Sequence, residues 1–181
     1  MKNKDNYNLK ILKVLNIFIE NPYEKFYLRE IAKQIKISPN TANRFLNKLL
    51  KENLITEKRQ ANLRYFRANL NSKTFKQIKI TFSINNIEKS NLLKYLQEKN
   101  FDSVILFGSI AKGEDDKLSD IDLLIIGNTK TNLFQFEKKL NKEIQSHFFT
   151  QEQWEIQKKK NKAFYQEIIS TGITLLGNKP L

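Results

Sequence analysis

Two short apolar runs, Ser103-Val-Ile-Leu-Phe107 and Ile121-Asp-Leu-Leu-Ile-Ile126, enclose a polar stretch that opens on Gly108-Ser109 and closes on Asp120-Ile-Asp122. Runs of this length, rich in β-branched residues and ended by glycine, predict two buried strands rather than helices. Side chains alternate along a strand, so Asp120 and Asp122 share one face while Ile121 and Leu123 turn into a core. Two neighbouring carboxylates at the mouth of a buried strand repel unless a cation joins them. Mg²⁺ suits that position, since it takes one or two carboxylates and completes its shell with water and substrate phosphates.

The bend before them offers the other half of a site. Glycine at 108 allows a strained turn or a close backbone approach. Ser109-Ile-Ala-Lys112 reads as the first turn of a short helix, whose N–H groups favour an anion. Ser109 adds a hydroxyl and Lys112 a cation. The stretch from Gly113 to Ser119 then loops back to the second strand.

Phe107-Gly-Ser-Ile-Ala-Lys-Gly113 and Ser119-Asp-Ile-Asp-Leu-Leu124 resemble the signature of the DNA polymerase β-like nucleotidyltransferases, particularly their small, minimal members. The resemblance implies Mg²⁺ as cofactor and a nucleoside triphosphate as ligand. It assigns Asp120 and Asp122 to metal binding and catalysis, and Gly108, Ser109 and Lys112 to the nucleotide. Two metals clamping the attacking and leaving oxygens would transfer a nucleoside monophosphate to a hydroxyl. The family also carries a third carboxylate on a later strand. Its counterpart here is Lys142-Glu-Ile-Gln-Ser-His-Phe-Phe149, with Glu143, Gln145 and His147 on one face, and the position that aligns with the acid is Gln145. An amide lacks the charge to tighten a second metal or to act readily as a base. Nucleotide binding is therefore better supported than turnover, with Glu143 and His147 as the available substitutes.

The chain of 181 residues carries a net charge of +13, no cysteine and a single histidine. Disulfides, thiolate metal sites and a histidine-ligated zinc centre are thereby excluded. No apolar run has the length of a membrane span, and the start of the chain is polar, so a cytoplasmic protein is expected. The charge is uneven: residues 1–79 hold 18 Lys+Arg against 6 Asp+Glu, and residues 80–181 hold 14 against 13. A basic half joined to a nearly neutral half points to a polyanion partner for the N-terminal part.

That part has its own pattern. Leu9, Leu12 and Leu15, with Ile11 and Ile19, recur at helical spacing up to Asn21-Pro22. Phe26 to Ile35 predicts a second helix, with Leu28, Ile31, Ala32 and Ile35 inward. Ser38-Pro39 then predicts the cap and first residue of a third. In the third helix Ala42, Phe45, Leu46, Leu49 and Leu50 form the apolar face. Asn40, Thr41, Asn43, Arg44, Asn47, Lys48 and Lys51 lie opposite, donors of the kind that reach bases and phosphates in a major groove. Two strands, Leu54 to Lys58 and Leu63 to Arg67, follow around a polar turn from Arg59 to Asn62.

This layout, with Leu28-Arg-Glu-Ile-Ala-Lys and Ser-Pro-Asn-Thr-Ala-Asn-Arg-Phe-Leu, is similar to prokaryotic winged-helix transcription regulators. The similarity implies DNA as partner. It assigns Asn40, Thr41, Asn43, Arg44 and Lys48 to the groove, and Arg59 and Arg64 of the wing to phosphate or minor groove. Such regulators often pair across a two-fold axis, which makes a homodimer an expectation; a protein-binding module is the alternative.

The whole chain resembles small prokaryotic proteins that fuse a winged helix to a minimal nucleotidyltransferase. The expected fold is α/β (α+β): a winged helix over 1–70, a linker helix over 71–86 and a transferase-type domain over 87–181, its mixed sheet covered by helices. Single helices are expected over 87–99 and 131–141, with further helical cover around Trp154 and Phe164–Ile169. Three functions stay open: a Mg²⁺-dependent nucleotidyltransferase, a degenerate nucleotide-sensing regulator, and an antitoxin-like partner-binding module.

Overall fold

A computed structural model of the chain describes residues 2–60 and 63–181, and side chains from residue 9 onward. The chain divides into two compact units, Met1–Lys76 and Gln77–Leu181.

The first unit opens with α1 (Lys2–Glu20), β1 (Phe26–Tyr27), α2 (Leu28–Ile35) and α3 (Pro39–Lys51). A hairpin of β2 (Ile55–Gln60) and β3 (Leu63–Ala68) completes it, and the sheet order is β1-β3-β2, all antiparallel. This is a winged helix. Ser38 caps α3 as expected, its hydroxyl accepting from the Thr41 N–H at 3.2 Å, with Pro39 at the first helical position. Ala42, Phe45, Leu46 and Leu49 are buried.

Several expectations for this unit need correction. Among the described side chains of α1, Val14, Leu15, Ile17, Phe18 and Ile19 are buried, while Leu9 and Leu12 stand exposed. Phe26 and Tyr27 are not helical. They pair with Phe66 and Tyr65 as β1, and Phe26 meets the Phe18 ring edge-on at 5.5 Å. In the expected turn, Arg59 and Gln60 continue β2, and residues 61–62 lie outside those described.

Helix α4 (Lys73–Lys89) crosses the boundary between the units. The second unit continues with α5 (Leu92–Glu98), β4 (Ser103–Phe107), α6 (Gly108–Lys112), β5 (Ile121–Ile126), α7 (Phe134–Leu140) and β6 (Ile144–Phe149). It closes with α8 (Gln151–Lys160), α9 (Lys162–Thr171) and β7 (Ile173–Gly177). The sheet order is β6-β5-β4-β7, with β5 and β6 parallel and the other pairs antiparallel. It is the expected mixed sheet.

The alternation of β4 and β5 splits the core into two layers. Val104, Leu106, Leu123 and Ile125 pack against Leu92, Leu96 and Phe136, while Ile105, Phe107, Leu124 and Ile126 pack against Trp154 and Ile168. The helix expected over 87–99 is interrupted. Ile87 belongs to α4, Ser90 Oγ accepts from the Leu92 N–H at 3.2 Å, and Asn91 adopts φ 66°, so the chain turns before α5. Asn tolerates this left-handed conformation through its short polar side chain. The helix expected over 131–141 likewise begins only at Phe134, where Asn132 Oδ1 accepts from the Phe134 N–H at 2.7 Å.

Candidate functional site

Both halves of the Gly-Ser and Asp-x-Asp pattern meet at one end of the β4–β5 ladder. Phe107 pairs with Asp122, so Gly108 follows directly beside the acid. Gly108 has φ +70°, and a Cβ placed there would lie 2.9 Å from Asp122 Cγ and overlap its Oδ2. No other residue fits: the backbone must pass against the carboxylate. Gly113 ends α6 at φ +68°, so a single helical turn stands between two left-handed glycines. Five residues make a weak macrodipole, so an anion held at this turn would depend on its side chains.

Asp120 and Asp122 share the face of Phe107 and Leu124, and both are half-buried. Burial pushes the Asp122 carboxyl above the usual range; the charge of Asp120 adds to this, His147 and Lys112 oppose it, and Glu167 reinforces it. Asp122 stands beside Gln145 in the parallel β5–β6 register, and Gln145 Nε2 donates to Asp120 Oδ2 at 3.4 Å. Farther along β6, His147 is exposed and sets its ring 5.6 Å from that of Phe107 and 5.4 Å from that of Phe164.

Lys112 is held by a residue that sequence reasoning missed. Its Nζ lies 2.6 Å from Glu167 Oε1 on α9, both side chains being about one-third exposed. Glu167 sits in a segment that periodicity marks only as helical cover, and nothing in its neighbours signals a role.

The polar stretch before Asp120 is ordered by local bonds. Asp116 Oδ1 accepts from the Leu118 N–H and the Ser119 hydroxyl, each at 2.9 Å, which holds its carboxyl below the usual range. Lys142 Nζ donates to the carbonyls of Asp116 at 2.6 Å and Ser119 at 2.7 Å. Burial pushes the Lys142 ammonium down, opposed by Asp115, Asp116 and Asp120.

Among the described residues no three His, Cys, Asp or Glu side chains gather as an ion cage. Two carboxylates on one face with a cradle beside them match Mg²⁺, which leaves most of its shell to water and phosphate.

In the first unit the residues assigned to DNA divide by environment. Asn40, Arg44, Lys48 and Arg59 are exposed. Thr41, Asn43 and Arg64 are tied into the fold. The Thr41 hydroxyl lies 2.9 Å from that of Ser38. Arg64 forms two bonds of 2.7 Å to the Glu57 carboxylate and one of 3.2 Å to Asn43 Oδ1, joining wing to α3. The Arg64 hydrogen bonds hold the Glu57 carboxyl low and raise the guanidinium further.

Fold and site together define a winged helix fused to a minimal nucleotidyltransferase. The profile described as Polymerase beta, Nucleotidyltransferase matches residues 90–180, and the chain belongs to that family. The profile described as Winged helix-turn-helix DNA-binding matches residues 5–56. Among solved structures, the crystal structure of NolR from Sinorhizobium fredii is similar at 18% identity, over 45% of this chain and 86% of that one; its TM-score of 0.33 is too low to bear on fold or function. No curated protein matches the chain. Among the described residues no helix is long and apolar enough to cross a membrane.

Proposed function

We propose that this is a DNA-binding regulator whose transferase-type domain binds a Mg²⁺-nucleoside triphosphate. The observation that carries the reading is the contact of Gly108 with Asp122, where only glycine lets the phosphate-side bend lie against the metal-side acid. Asp120 and Asp122 would hold Mg²⁺; Gly108, Ser109 and Lys112 would hold the phosphates. The ion would neutralise phosphate charge and orient the triphosphate.

The residues themselves favour binding over transfer. Gln145 occupies the strand position beside Asp122 and gives its amide to Asp120, so it supplies no third negative charge and no base there. A nucleotide-sensing regulator agrees with this better than a fast transferase does; that it acts in the cytoplasm and pairs on DNA as a homodimer is part of the proposal. DNA affinity would come from phosphate contacts of the basic first unit and discrimination from α3.

The test is a titration of the full-length protein with each NTP and Mg²⁺, with pyrophosphate release followed in parallel. Binding that disappears in the Asp120→Asn/Asp122→Asn double variant supports the site. Binding that survives this change removes it, and pyrophosphate release at enzymatic rates would replace the sensing reading with catalysis.

A further inference from the structure

Lys79 is the most deeply buried charged side chain among the described residues, at 1% exposure. A lysine in such a place needs partners, since removing an ammonium from water is costly unless it is paired and hydrogen-bonded. Both partners come from one residue. Lys79 Nζ lies 2.8 Å from Asp115 Oδ1, an ion pair off the hydrogen-bonding direction, and it donates to the Asp115 main-chain carbonyl. Asp115 is itself buried and lies in the stretch between α6 and β5.

The same stretch is gripped a second time, from the next residue onward. Lys142, just before β6, donates to the carbonyls of Asp116 and Ser119. Three carbonyls between Gly113 and Asp120 therefore accept from lysine ammoniums brought in from α4 and from the start of β6. Neither lysine lies in the Gly-Ser to Asp-x-Asp segment. The loop they hold joins the α6 turn to Asp120, and any slack in it would pass directly to that carboxylate.

We propose that Lys79, with Lys142, is a positioning residue that clamps residues 113–119 so that Asp120 and Asp122 stay in register with Gly108. The proposal rests on the metal-nucleotide reading of the site and adds to it a role for buried charge outside the motif. Lys79 touches neither nucleotide nor metal in this scheme; it acts through the loop.

The experiment uses the full-length chain with the pair replaced as a pair, Lys79→Met/Asp115→Leu. Removing one partner strands a buried charge, whereas replacing both by apolar groups of similar size commonly preserves folding. Two readouts are taken beside thermal unfolding: amide exchange across 114–120, and the dissociation constant of Mn²⁺ in the presence of ATP. The expected result is a cooperatively folded variant with faster exchange confined to that loop. Its Mn²⁺ binding should be about 10-fold weaker, in the range seen when groups that orient metal ligands are lost. Lys142→Met, which leaves no buried anion unpaired, should weaken Mn²⁺ in the same direction. Loop exchange that stays at the wild-type rate overturns the clamp, as does unchanged Mn²⁺ affinity in a variant whose loop has been released. If the double variant does not fold, Lys142→Met carries the decision on the same two readouts. Wild-type protein that binds no Mn²⁺ with ATP overturns the metal-nucleotide reading and the clamp's role with it. Wild-type binding that is lost in Asp120→Asn but kept in both lysine variants overturns the clamp alone.

Discussion

The side-chain amide of Gln145 donates to Asp120 Oδ2 at 3.4 Å from the β6 position that flanks Asp122. An acid at this position would face both aspartates across one strand spacing. Gln145→Asp is therefore expected to create a third carboxylate without disturbing the ladder. Mn²⁺ binding in the presence of ATP should tighten by about 10-fold, equivalent to about 1.4 kcal/mol. Calorimetric titration measures it, and weaker binding in the variant would show that the amide is itself part of the site.

Gly108→Ala should damage the site directly. The added Cβ would press on the Asp122 carboxylate while the backbone is held at φ +70°. A non-glycine residue in a sparsely populated backbone region costs about 1–3 kcal/mol before the clash is counted. Loss of Mg²⁺-NTP binding together with a lowered unfolding temperature is expected, and wild-type values for both would contradict the cradle.

Glu167 competes for the ammonium that a phosphate would use. Because the Lys112–Glu167 pair is about one-third exposed on each side, its contribution to stability is screened and should be below about 1 kcal/mol. Glu167→Gln is then expected to leave the unfolding temperature nearly unchanged and to lower the Kd for Mg²⁺-NTP by several-fold. Fluorescence titration with a labelled nucleotide checks this. A weaker complex would assign Glu167 to ligand binding instead.

The wing carries an acid-sensitive fastener. Arg64 depresses the Glu57 carboxyl through two hydrogen bonds. A depressed folded-state pKa stabilises the native form above the unfolded value of about 4.3, and that contribution drains away as the pH falls through the folded value. Glu57→Gln should lower stability at neutral pH, and the gap from wild type should close under acid conditions. Denaturant melts at a series of pH values measure the gap; a constant difference would rule out the linkage.

On DNA, Lys48→Ala should weaken binding to all sequences alike and reduce the slope of log K against log salt by about 1. Arg44→Ala, on the exposed face of α3, should also alter sequence preference. Binding indifferent to salt and to both changes would leave the basic unit without a nucleic-acid role.

The sequence conveyed the two strands of the site because each is apolar enough to allow no other reading, and the period-two alternation put both acids on one face. It conveyed Gln145 through the same alternation in β6. What it hid was non-local. Lys79 was counted with the basic half as a charge facing a polyanion, yet it is buried in the second unit, since burial of a lysine depends on an aspartate 36 residues away. Glu167 was invisible for the same reason. The break at Asn91 was hidden by Leu92, Leu93 and Leu96, which continue a helical period across a turn made by a residue other than Gly or Pro. The two-residue strand β1 is too short to show alternation, and only the Phe66 and Tyr65 partners define it.

The interior location of β5, bonded on one side to β4 and on the other to β6, imposes a rule on how relatives of this chain can diverge. Gaining or losing one residue within β5 would exchange the side chains that face its two core layers. Both carboxylates would then be driven into the layer of Val104, Leu106 and Phe136, and an apolar residue would replace Asp122 beside Gly108. Natural variation in length should therefore spare the strand's reading frame.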